Sequence, residues 1–128
     1  MTNMIPMNAS ARQSLVVEKA HTAAQIGSGS LEVLATPMLI ALMEAAAVEA
    51  VEKYLSTGFT TVGSRIEMEH LRPTPVGETV TAEAVMVRRE DRALDFSIEA
   101  RDARGVVGQA SHRRFIVDEQ EFLSRTRS

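Results

Sequence analysis

Eleven consecutive residues, Met38 to Val48, include only one that is not apolar, Glu44. A helix that is apolar nearly all round must be enclosed by the rest of its chain, because any side left in water forfeits its hydrophobic gain. That demand constrains the fold more than any other feature of the sequence. Thr36-Pro37 supplies a start: Thr is a favoured N-cap, and Pro at the first helical position loses no bond the helix could have made. Ser56-Thr57-Gly58 supplies an end, with Gly suited to a left-handed cap. The predicted helix has about 19 residues and a length of roughly 28 Å.

Around this helix the pattern is extended. Residues 14–25 suit a strand with imperfect alternation, and residues 26–30 (IGSGS) form a flexible connection. Four strands follow, at 60–72, 79–89, 93–101 and 106–117, separated by a loop with two prolines and by the turns REDR and DARG. In the first of them Val62, Ser64, Ile66, Met68 and His70 share one face by strict alternation, and in the third Leu94, Phe96 and Ile98 point inward. DEQEFLSR ends the chain as a short helix.

One strand, one enclosed helix and then an antiparallel meander make an α+β protein. A single sheet has one face with which to cover a helix. The arrangement that encloses it is a sheet curled around the helix with a second copy alongside, the hot-dog fold, normally a dimer. A two-layer α+β sandwich is the alternative. With 128 residues and no dividing linker, the chain reads as a flexible tail over residues 1–10 and one domain over residues 11–128.

The net charge of −3 disfavours nucleic acid or an anionic membrane as partner, and no apolar run approaches the roughly 18 residues of a membrane span. The absence of cysteine removes disulfides, thiolate nucleophiles and cysteine-based metal sites. A cytoplasmic location is expected.

Glu44 is the candidate for chemistry, the plain alternative being a carboxylate satisfied by a buried partner or by an oligomer interface. It lies between Ile40 and Val48 on the helix, away from the solvated side formed by Glu49, Glu52 and Lys53. A carboxylate in an apolar stripe is costly unless paired, and residues kept at that cost tend to be functional. His70 shares the inward face of its strand, just before the loop Arg72-Pro73-Thr74-Pro75, and Glu with His is a general acid–base pair. Two such ligands are too few for zinc, so no metal is expected. Thr36 caps the helix and offers a hydroxyl at its positive end. His21 and His112 have no comparable context and are read as incidental.

The runs ATPMLIALMEAAAVEAV, GSRIEMEHLRPTPVGETVTAEA and VGQASHRRFIV resemble the fluoroacetyl-CoA thioesterase family of hot-dog proteins, over residues 12 to 123. That family has Thr at the start of its central helix, Glu eight residues later, and His on the next strand before a Thr-Pro-rich loop ending in Gly. Thr36, Glu44 and His70 match these, with Pro75 and Gly77 following. Gly63 matches a small strand residue beside the acyl pocket, and Arg114 a basic residue near the CoA moiety. The family's best-known member resembles a lidded pocket guarded by an aromatic residue; here the segment before the helix, QIGSGSLEVLA, holds none.

The resemblance implies a homodimeric (or tetrameric) thioesterase that hydrolyses a short or medium acyl-CoA, without implying selectivity for fluoroacetyl-CoA. Glu44 would act as base or nucleophile, His70 as proton shuttle or carbonyl polariser, and Thr36 at the oxyanion. No cofactor is implied, CoA being part of the substrate. A hot-dog dehydratase or hydratase and a non-catalytic acyl-CoA binding dimer are the rivals.

Overall fold

The computed structural model describes residues 4–127. Its elements run β1 (Ser10–Val16), α1 (Ala23–Ile26), α2 (Thr36–Val51), β2 (Phe59–His70), β3 (Thr79–Glu90), β4 (Ala93–Asp102), β5 (Gly105–Asp118) and α3 (Glu119–Ser124). The strands form one antiparallel five-stranded sheet in the order β1-β3-β4-β5-β2, curled against α2 as the hot-dog expectation requires.

The core lies between α2 and the inner face of the sheet. Leu39, Leu42, Met43, Ala46, Ala47, Ala50 and Val51 of α2 are buried against Val80, Ala82, Ala84 and Met86 of β3 and Leu94, Phe96, Ile98 and Ala100 of β4. Alanines on both sides let the helix lie close to the sheet. Gly108 of β5 does the same: a Cβ there would stand 3.0 Å from Leu39 Cδ2 and 3.2 Å from Met43 Cε. Leu94, Phe96 and Ile98 are buried as predicted, whereas Val48, Ile66 and Met68 are half-buried in the single chain.

The structure corrects several sequence expectations. The predicted first strand belongs earlier, because Thr22 accepts a hydrogen bond from Gln25 N and Gly27, at φ +86°, closes the short helix α1. These local cap signals outweigh a weak alternation. The predicted tail is docked over much of its length: Ile5 and Ala9 are buried, Ala9 O accepts from Met86 N at 2.8 Å, and Ser10 begins β1. Residues 1–3 lie outside the described residues. The α-helix ends at Val51 and continues as a 3₁₀ turn over Glu52–Tyr54, so Gly58, at φ +89°, opens the turn into β2 rather than capping the helix.

The four later strands do not form a simple meander either. β2 pairs with β5, not with β3, so only β3-β4-β5 is a meander. The proline-containing connection 71–78 crosses from one side of the sheet to the other. It is fastened by Leu34 N to Thr74 O at 2.9 Å, Gly77 N to Val17 O at 2.8 Å, and the buried Thr74 hydroxyl donating to Asp102 Oδ2 at 2.9 Å. Burial would push the Asp102 carboxyl up, but donation from Arg104 N and Thr74 outweighs it and holds the group below its ordinary value. β2 is left at a free edge of the sheet.

Candidate active site

Two clusters of polar side chains occupy the flank where α2 meets β2. The first joins the start of the helix to the end of the strand: Thr36 Oγ1 lies 2.9 Å from His70 Nδ1. Thr36 is therefore the first helical residue rather than the cap. Ala35 is the N-cap, and its methyl side chain can make no capping bond, while the Thr36 hydroxyl is engaged with the imidazole. His70 Nε2 is buried and, among the described residues, has no hydrogen-bond partner. Burial lowers the pKa of His70 below its ordinary value, against an opposing contribution from the Arg72 backbone, so the ring is neutral near pH 7. A cleft of about 260 Å³ opens beside the pair, lined also by Ser28, Leu34, Arg72 and Pro73.

The second cluster surrounds Glu44. Arg114 Nη1 donates to Glu44 Oε2 at 3.4 Å. The same guanidinium donates through Nε to Thr61 Oγ1 at 2.9 Å and through Nη2 to Thr61 O at 3.0 Å, and its Nη1 is 3.1 Å from His112 Nε2. The Arg114 side chain is 7% exposed and that of Glu44 40%. Burial disfavours the charge on Arg114 and Glu44 supports it. Glu44 is thus a paired, half-exposed carboxylate rather than an isolated buried one. No hydrogen bond among the described residues holds its second oxygen, Oε1.

Gly63 completes this cluster. A Cβ at that position would stand 2.6 Å from Glu44 Oε2 and 3.1 Å from Arg114 Nη1, so only glycine lets the carboxylate rest against the strand. Gly63 faces the helix because the strand slips. Gly63 pairs with Arg114 and Arg65 with Arg113, leaving Ser64 unopposed as a bulge. The slip corrects the strict alternation expected from the sequence: Thr61 and Gly63 are inward before the bulge, and Ile66, Met68 and His70 after it.

Thr36 and Glu44 are eight residues apart, about 12 Å along the helix axis. Within one chain the structure brings Thr36 to His70 and Glu44 to Gly63 and Arg114, as two separate clusters along α2 and β2. Ile40, Ile66 and Met68, all half-buried, fall between them along the two elements. Among the described residues no group of three or more His, Asp or Glu side chains is arranged to hold a metal ion, and no helix is long and apolar enough to cross a membrane.

Comparison with known proteins decides the family. A model of the fluoroacetyl-CoA-specific thioesterase family matches residues 17–120. The fluoroacetyl-CoA thioesterase of Streptantibioticus cattleyicolor is 34% identical over 96 residues, spanning 75% of this chain and 69% of that one. The chain belongs to the fluoroacetyl-CoA-specific thioesterase family. A solved structure of the fluoroacetyl-CoA thioesterase superposes with a TM-score of 0.91 at 27% identity, covering 98% of this chain and 97% of the other. A hot-dog-like protein from Thermanaerovibrio acidaminovorans superposes with a TM-score of 0.87 at 26% identity, over 95% and 90% of the two chains.

All five residues singled out from the sequence lie within the part of the chain that matches this thioesterase family. His112, incidental by its sequence context, lies within the Glu44 cluster. It is 3% exposed and sits against Arg114. The signal was present: on β5, His112 and Arg114 share parity with Ala110 and Ile116, which places two polar residues side by side on an otherwise apolar inward face. His21, by contrast, is engaged in a local turn, where its Nδ1 accepts from Glu18 N at 2.9 Å.

Proposed function

We propose that the protein hydrolyses acyl-CoA thioesters to the free acid and CoA. The observation that carries the reading is the Thr36–His70 contact at the start of the central helix, in a chain of the thioesterase family. The Thr36 hydroxyl donates to Nδ1, which leaves the proton on Nε2, and that buried N–H polarises the thioester carbonyl. A neutral imidazole suits this role, and the low pKa of His70 keeps it neutral. Glu44 Oε1, the oxygen Arg114 does not hold, takes a proton from the attacking water as its oxygen bonds to the acyl carbon. The carbon–sulfur bond then breaks, and the CoA sulfur leaves with the electron pair.

The working unit in this proposal is a homodimer. β2 lies at a free edge, and Ala41 and Ala45 are exposed on the helix beside half-buried Val48. A second copy there would cover this flank and bring a second set of the same residues toward it, which the offset of about 12 Å between Thr36 and Glu44 calls for. CoA enters as part of the substrate, with no metal or further cofactor in the scheme. The location is the cytoplasm, in keeping with a multiply phosphorylated substrate that does not cross membranes.

The test is release of free thiol from a panel of short and medium acyl-CoAs, fluoroacetyl-CoA included. Thiol release supports the reading. A new or lost double bond without thiol would indicate a dehydratase or hydratase, and neither product a binding protein. A 14.0 kDa monomer in sedimentation at micromolar concentration would remove the dimer from the scheme.

A further inference from the structure

His112 lies inside the Glu44 cluster, and its partners leave its ring one possible state. Nδ1 is 2.7 Å from Arg65 O, and a carbonyl only accepts, so Nδ1 carries the proton. Nε2 is 3.1 Å from Arg114 Nη1, and an arginine N–H only donates, so Nε2 is bare. The ring is neutral and its tautomer is fixed. Its 3.9 Å approach to Glu44 Oε2 is then no ion pair, because a lone pair faces a carboxylate.

Arg114 Nη1 stands between the two. It has two N–H bonds, one toward His112 Nε2 at 3.1 Å and one toward Glu44 Oε2 at 3.4 Å. Thr61 holds the remaining face of the guanidinium through Nε and Nη2. The shorter contact is the one to His112. Were that acceptor absent, the second N–H of Nη1 would lack a partner, and the half-exposed Glu44 carboxylate could swing its other oxygen onto it.

We propose that His112 is a positioning residue, which by accepting one Nη1 N–H of Arg114 keeps that N–H from drawing in the second oxygen of Glu44 and so leaves Oε1 available to water. The inference rests on the thioesterase reading of Glu44. Arg65 gives the device a rigid anchor, since its carbonyl sits immediately after the Ser64 bulge that turns Gly63 toward Glu44.

Two substitutions separate this role from simple packing. His112→Gln keeps an acceptor where Nε2 stood and loses the bond to Arg65. His112→Asn keeps a donor toward Arg65 and loses the acceptor toward Arg114. The expected result is a kcat in His112→Gln close to that of the parent, and in His112→Asn a kcat lower by about tenfold with KM little changed, both variants folded by circular dichroism. Equal kcat in the two variants, or loss in His112→Gln alone, overturns the proposal. Should the parent release no thiol from any acyl-CoA, the functional reading fails separately. The ¹⁵N spectrum of the His112 ring then still decides the arrangement: a bare Nε2 near pH 7 supports it, and a protonated Nε2 overturns it.

Discussion

The hydroxyl of Thr36 and the Nδ1 of His70 lie 2.9 Å apart, tying the first residue of α2 to the last residue of β2. The bond takes the hydroxyl away from capping the helix. Thr36→Val should therefore leave helix stability nearly unchanged while removing the hydroxyl that meets His70 Nδ1. Thiol release should fall by at least about tenfold, with Thr36→Ser restoring most of it. A Thr36→Val protein with full activity would detach the pair from the chemistry.

Glu44→Gln tests the carboxylate. Loss of the proton acceptor should lower hydrolysis by at least about 10²-fold. An unpaired carboxylate in an apolar stripe is removed with no loss of stability. Arg114 reverses that expectation, because a guanidinium only 7% exposed would lose its counter-charge. With Glu44 itself half-exposed, the expected loss is on the order of 1 kcal/mol, read from chemical denaturation.

Gly63→Ala separates position from presence. The added methyl would overlap Glu44 Oε2, the mobile end of a side chain, more severely than anything rigid. The carboxylate should move aside at small cost to folding, within about 1 kcal/mol, while the rate falls about tenfold or more. Unchanged kinetics in a folded Gly63→Ala enzyme would mean that the resting place of Glu44 does not matter.

The two buried histidines set the pH response. His70 and His112 both titrate below the ordinary value of 6.5, in each case chiefly because burial disfavours the charged ring. The unfolded chain therefore takes up protons first as pH falls. Stability is fully present above about 6.5 and is lost progressively as pH drops toward the folded-state values. Hydrolysis should hold level down through pH 6.5 as far as His70 is concerned, and decline only below it. A rate that already halves on going from pH 7.5 to 6.5, with the loss removed by His70→Ala, would contradict a neutral His70 at that pH.

Thr74 and Asp102 fasten the crossing loop that follows His70. The Asp102 side chain is fully buried, and among the described residues its hydrogen-bond donors are Thr74 and Arg104 N. Thr74→Val should cost about 1–3 kcal/mol by leaving a buried carboxylate short of a donor, visible as a lower melting temperature. A melting temperature equal to the parent's would show that the loop is held without it.

Much of this protein was legible in its sequence. The apolar run 38–48 required an enclosed helix, and the alternation of β4 placed Leu94, Phe96 and Ile98 inward, because local periodicity decides which face of an element is apolar. Glu44 and His70 stood out for the same reason, as polar residues at apolar positions. What sequence could not decide was partnership. That β2 lies beside β5, that Ser64 bulges and turns Gly63 inward, that the Thr36 hydroxyl serves His70 instead of the helix end, and that Arg114 and His112 meet at Glu44 all depend on segments far apart in the chain closing on one another. Hydrogen-bond and charge partners are settled by that closure, after each element's own pattern has been satisfied.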